Sequence, residues 1–220
     1  MANVSNPFGF RQFGQREGSA PTAGLETKLV SSGYTCPLFT GDIVMLSSGT
    51  PGYIVSVGSS AGGTAASIAN VGYGVFLGCE YYNASLNRTT WNSYWPGSGA
   101  TGDVKAFVCS NPEQLYIAQG STGAVIGSTQ IGSGFPCSIT GSSQGNTATG
   151  QSVMTIQSSL PTGLSSNAQF VLVDMYSNTA PPGINGTSTG AEGWQIGVFQ
   201  PLNFVRRTMN GVGAASIVST

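Results

Sequence analysis

The stretch "IANVGYGVFLGCEYY", Ile68–Tyr82, decides the fold class. It reads as one long, mostly buried β-strand, and its glycines Gly72, Gly74 and Gly78 mark bulges or close backbone packing. Upstream, "DIVML" (Asp42–Leu46) and "YIVSV" (Tyr53–Val57) are short strands joined by the Gly/Pro turn "SSGTPG". Downstream, "DVKAFVC" (Asp103–Cys109) sets Val104, Ala106 and Val108 against Lys105 and Phe107, the period of a half-buried strand. "QLYIAQ" (Gln114–Gln119) follows an Asn-Pro turn. Four more strands are expected at Ser152–Gln157, Ala168–Tyr176, Trp194–Gln200 and Asn203–Thr208. The only helix expected is a short one near Ala61–Asn70. Many short strands between Gly/Pro/Asn turns predict an all-β sandwich or barrel.

Three stretches follow along the chain. Residues 1–30 read as an extended N-terminal arm, with Phe8, Phe10 and Phe13 among glycines and no strand or helix period. Three phenylalanines need burial, so the arm either folds back on its own body or inserts into a neighbour. Residues 31–120 read as a β-rich core domain, with Asn83–Gly102 as a long polar-aromatic loop. Residues 121–220 open with a Gly/Ser/Thr segment and continue with further strands, in the same domain or a second one. Residues 120–150 contain no charged side chain. They are either a linker or, through Val125, Ile126, Ile131, Phe135 and Ile139, irregular packed strands.

Charge is scarce: seven basic and eight acidic residues in 220, no histidine, and a net charge of −1. That is 7% charged, against about 25% in ordinary soluble domains. Seven scattered cations cannot build the basic face that nucleic acid requires. No apolar run is long enough for a transmembrane helix, and Met1–Ala20 lacks the apolar region of a secretory signal. Near-zero net charge leaves little repulsion between copies, which favours an oligomer. Cys36, Cys79, Cys109 and Cys137 form no C-x-x-C pair and have no histidine to complete a zinc site. They read as buried thiols, although an even count permits two disulfides. The sequons at Asn3, Asn83, Asn87 and Asn185 read as chance matches in an Asn/Ser/Thr-rich chain.

Chemistry is correspondingly thin. A Ser-His-Asp or Cys-His arrangement is impossible without histidine. The eight acids do not cluster, and Asp42 and Asp103, each after a glycine at a strand start, read as turn residues bonding nearby amides. "GSSAGGTA" lacks the lysine of a phosphate loop and reads as a surface loop. The acids are too sparse for a calcium loop. No catalytic, cofactor-binding or metal-ligating residue is expected. The densest aromatic group is Tyr81, Tyr82, Trp91, Tyr94 and Trp95. It reads as a protein interface, a cap on the end of a barrel, or a glycan-stacking platform. Arg206 and Arg207 are an isolated basic pair that reaches an acidic partner or is simply solvated.

The run "FTGDIVML…GYIVSV…GVFLGCEYYNAS", with the opening "NPFGFRQFGQREGSAPTAG", resembles head-decoration (capsid cement) proteins of tailed bacteriophages. The resemblance implies a β-tulip-like or sandwich body with an extended N-terminal arm. It implies a non-enzymatic virion protein, made in the bacterial cytoplasm and added to the outer face of the head. Its partners would be the major capsid protein and other copies of itself, most often as a trimer. On that reading Phe8, Phe10, Arg11, Phe13 and Arg16 contact the capsid. Tyr81, Tyr82, Trp91, Tyr94 and Trp95 make the oligomer or partner interface. The competing expectation is a tail- or fibre-associated module that binds a host receptor or glycan through Trp91–Trp95.

Overall fold

The computed structural model describes residues 6–18, 24–47, 49–50, 52–57, 72–121, 126–139, 145–157, 168–176 and 196–202. Strands β1 (Arg11–Gln15), β2 (Leu25–Val30), β3 (Leu38–Phe39), β4 (Ile43–Leu46), β5 (Ile54–Ser56) and β6 (Gly74–Asn83) come first. Next are β7 (Arg88–Asn92), β8 (Tyr94–Trp95), β9 (Val104–Cys109) and β10 (Gln114–Gln119). The rest are β11 (Gly134–Phe135), β12 (Cys137–Ile139), β13 (Gly145–Asn146), β14 (Gln151–Ser152), β15 (Met154–Ile156), β16 (Phe170–Met175) and β17 (Ile196–Pro201). The chain is an all-β protein of antiparallel sheets packed on one another, as the strand pattern predicts. The helix expected at 61–70, the loop 58–65, the strand at 203–208 and the Arg206–Arg207 pair lie outside the described residues.

The larger sheet runs β2-β9-β6-β4-β5, with β7 also paired to β6. Tyr53, at the start of β5, bridges back to Leu29 of β2, which curls the sheet into a barrel-like tube. Its interior is set by strand parity. Val104, Ala106 and Val108 point inward from β9 and meet Val30, Val44, Ile54, Phe76, Cys79 and Tyr81. Leu38 and Trp95, from the short β3–β8 pair, join this inner core.

Of the deciding stretch, β6 begins at Gly74, residues 68–71 lie outside the described residues, and Gly74 and Gly78 act as the sequence predicts. A side chain at Gly74 would meet the carbonyl oxygen of Cys109 at 2.5 Å, so β6 and β9 come this close only without one. Gly78 lies at the β6–β9 bulge with φ +149, a backbone that favours glycine.

The second sheet runs β1-β10-β17-β16-β11 and packs on the outside of the tube. Between them lies a second core: Ile43, Val75 and Cys109 from the tube, with Tyr116, Phe170, Leu172 and Phe199 from the sheet. Fully burying each large apolar side chain here contributes about 1.5–3 kcal/mol.

Two expectations need correction. The described parts of residues 1–30, 6–18 and 24–30, lie against the body rather than forming a separate arm. β1 pairs with β10, β2 pairs with β9, and Phe10 is fully buried with its ring 4.5 Å from that of Phe170. The loop expected at Asn83–Gly102 is largely a hairpin: β7 returns along β6 and β8 follows. For residues 121–220 the sequence leaves both a shared and a separate domain open; among the described residues, β17 pairs directly with β10 and shares its core. Within 120–150, Ile126 and Phe135 are buried as packed strands require, whereas Ile131 is exposed. Val125 and the Ile139 side chain lie outside the described residues.

Candidate functional site

The aromatic group divides by strand parity. Along β6, Cys79 and Tyr81 face the tube interior, so Glu80 and Tyr82 face outward. Tyr81 packs edge-on against buried Trp95 at 5.3 Å, and the Trp95 indole N–H donates to the Tyr34 carbonyl at 3.1 Å. These two residues are barrel core, not interface. Tyr94 is half-buried and stacks on Phe39 at 5.5 Å. Only Tyr82 and Trp91 are open to solvent, Trp91 the more so at 66% exposure.

The β6–β7 hairpin sets Trp91. Asn83 Oδ1 accepts the amides of Ser85 (2.9 Å) and Leu86 (3.0 Å), which closes the turn. Asn87 takes a left-handed φ of 51° and accepts the Tyr82 hydroxyl at 2.6 Å. This register places Trp91 opposite Glu80, which lies opposite Lys105 on β9. The three side chains therefore form one row on the outer face of the tube. Phe107 faces the same way, opposite the side-chain-free Gly78. The Trp91 and Phe107 rings stack with centroids 5.3 Å apart and planes 7° from parallel. Lys105 Nζ lies 5.6 Å from the Phe107 centroid and 3.6 Å from a Glu80 carboxylate oxygen. Beside the stack is a cleft of about 360 Å³, lined by Leu77, Gly78, Trp91, Asn92, Ser93 and Phe107. The alternation of β9 places Phe107 on the correct face of its strand but does not connect it with Trp91, which lies about 55 Å away along a fully extended chain.

The N-terminal set also divides. Phe10 is core. Phe8 is half-buried under the Arg11 guanidinium, 4.9 Å from its ring centroid. Phe13, at the bulge of β1, is 48% exposed and meets Tyr176 edge-on. Arg11 and Arg16 are exposed, and the Arg16 amide holds the Glu113 carbonyl at 3.1 Å. Among the described residues, β1 is an outer strand of its sheet, pairing on one side with β10.

Of the two Gly-Asp turns, Asp42 bonds a nearby backbone amide as the sequence suggests, whereas Asp103 takes one from a distant segment. Phe39 N–H donates to Asp42 Oδ2 at 2.7 Å, and Ser32 N–H to Asp103 Oδ1 at 3.3 Å. Asp42 is fully buried, and burial lifts its pKa to about 7 against the smaller opposing pull of the Ser152 hydroxyl and the Phe39 amide. The four cysteines are free thiols, with Cys79, Cys109 and Cys137 buried and Cys36 half-buried. Burial pushes the Cys79 and Cys137 thiols up to about 12. Among the described residues, no group of His, Cys, Asp and Glu is placed to hold a metal ion, and no helix is long and apolar enough to cross a membrane.

Comparison of the chain with protein-family models, curated proteins and solved structures finds no match. The described residues form an all-β protein whose solvent-facing features include the β1 edge and the Trp91–Phe107 stack on the tube.

Proposed function

We propose that the chain is a structural virion protein that binds the outer surface of a tailed-phage head and cements its major capsid protein lattice. The observation that carries this reading is the β1 edge. Phe13, Arg11 and Arg16 are exposed along an outer strand, while Phe10 pins that strand to the core. An outer strand offers unpaired backbone groups to a neighbouring chain, and its side chains set which neighbour fits. The low charge of the whole chain and its resemblance to capsid cement proteins support the same reading.

In this role each contact is modest and repetition supplies avidity, all the more if copies associate as a trimer. Binding only the assembled shell stabilises the shell by mass action. Cryo-electron microscopy of intact virions tests it. Density repeating over the head supports the proposal and reveals the oligomer. Density confined to the tail overturns it in favour of a receptor-binding module. A Phe13→Asp variant that folds normally is expected to lose head binding, measured by cosedimentation with purified capsids.

A further inference from the structure

We infer that the Trp91–Phe107 stack, with Glu80 and Lys105, is a binding site for a neutral pyranose sugar. Trp91 is the most exposed large apolar residue among those described, although it sits on a regular strand whose hairpin is firmly hydrogen-bonded. Its indole is held upright by the parallel Phe107 ring, so a flat aromatic surface stands ready in solvent. The axial C–H groups of a pyranose carry slight positive charge and pack against such a π face. Beside the stack lies a shallow, solvent-open depression of about 360 Å³, over which a single sugar ring could lie. Gly78 lets β7 approach closely at the edge of this depression: a side chain there would meet the Asn92 carbonyl oxygen at 3.0 Å.

The polar groups select the class of ligand. Glu80 and Lys105 pair at 3.6 Å directly beside the indole, with their side chains still 26% and 50% exposed. A carboxylate that accepts and an ammonium that donates suit the hydroxyls of a sugar. Their charges cancel, which disfavours a phosphate or another anionic ligand. An apolar protein surface docked here would strip water from this pair and return no hydrogen bonds, which opposes such docking. A polyhydroxylated ring replaces that water with its own hydroxyls. The site stands on the tube, whereas the β1 edge belongs to the other sheet, so the sugar site and the head-binding reading can fail independently.

The test uses the full chain on an array of neutral gluco-, galacto-, manno- and N-acetylhexosamine glycans, with sialylated and sulfated glycans alongside. Retention of neutral members is expected. Binding should weaken about tenfold or more in W91A, the equivalent of ~1.4 kcal/mol, and should weaken in E80Q, with F13D unaffected. Titration with the best-retained glycan should shift the tryptophan emission of the wild type. W91F should keep partial binding but lose that shift, a signature that misfolding does not produce. No retention of neutral glycans, a preference for the anionic ones, or binding that survives W91A overturns the inference.

Discussion

Asp42 is a carboxyl group held where its charge is unwelcome. Its folded pKa of about 7 stands above the ordinary 3.8. A raised acid contributes its full stability below the unfolded value and loses it as pH rises through the folded one. The protein should therefore lose stability between pH 4 and 7 on account of this group, by roughly 4 kcal/mol at most. Asn at this position still accepts the Phe39 amide. The difference in urea midpoint between D42N and wild type should grow in favour of the variant across that range. A constant difference would show that Asp42 does not titrate there. The two described tryptophans of the hairpin region make a second contrast at this scale. W95A empties a fully buried site and should cost about 3–5 kcal/mol in urea unfolding. W91A should change stability by about 0.5 kcal/mol or less. Strand parity was the legible signal here. In "CEYYN", an inward Cys79 makes Tyr81 inward and Tyr82 outward, but counting aromatics within a window ignores that alternation. The meeting of Trp91 with Phe107 was not legible, because it depends on the register of two strands on either side of β6.

At the scale of elements, the strands rich in Val, Ile, Phe and Tyr were readable: β4, β5, β6, β9, β10, β16 and β17 all fall where the apolar pattern places them. The longer missed strands are polar or glycine-containing, whereas β3 ("LF") and β8 ("YW") are two-residue pairs too short to show a period. β1 is "RQFGQ", β2 "LETKLV" and β7 "RTTWN", and each draws its strand conformation from the partner it lies against. β1 changes what truncation should do. Phe10 stacks on Phe170, and its amide donates to the Gly41 carbonyl at 3.0 Å. Removing residues 2–20 therefore damages the body as well as any head contact. F10A should lower stability by about 3–5 kcal/mol, whereas F13A should leave the urea midpoint nearly unchanged. Equal midpoints for the two variants would mean that β1 is not docked in solution.

For the whole molecule, the core between the sheets draws on Phe10, Val75 and Phe199 alike, so no single stretch of the chain owns it. Composition cannot reveal this, since long-range pairing leaves no local trace. A fragment ending at residue 120 lacks β16 and β17 and exposes Tyr116 and Ala118. It should be insoluble or lack a cooperative unfolding transition, and a sharp transition would argue for two independent units. Thiol labelling offers a further check: Cys36 should react first with an aromatic disulfide reagent, and the three buried thiols only on unfolding.

The central position of β10, between β1 and β17, also bears on how the chain acquires its shape on the ribosome. Every strand of the tube has been synthesised by residue 109, but the neighbouring sheet waits for residue 201. Through that interval Phe10 and Tyr116 lack the Phe170 ring that later covers them, and the growing polypeptide carries a greasy flank. Slow translation near the end of the message, or a missing chaperone, should therefore lower the yield of native protein more than a comparable delay early on.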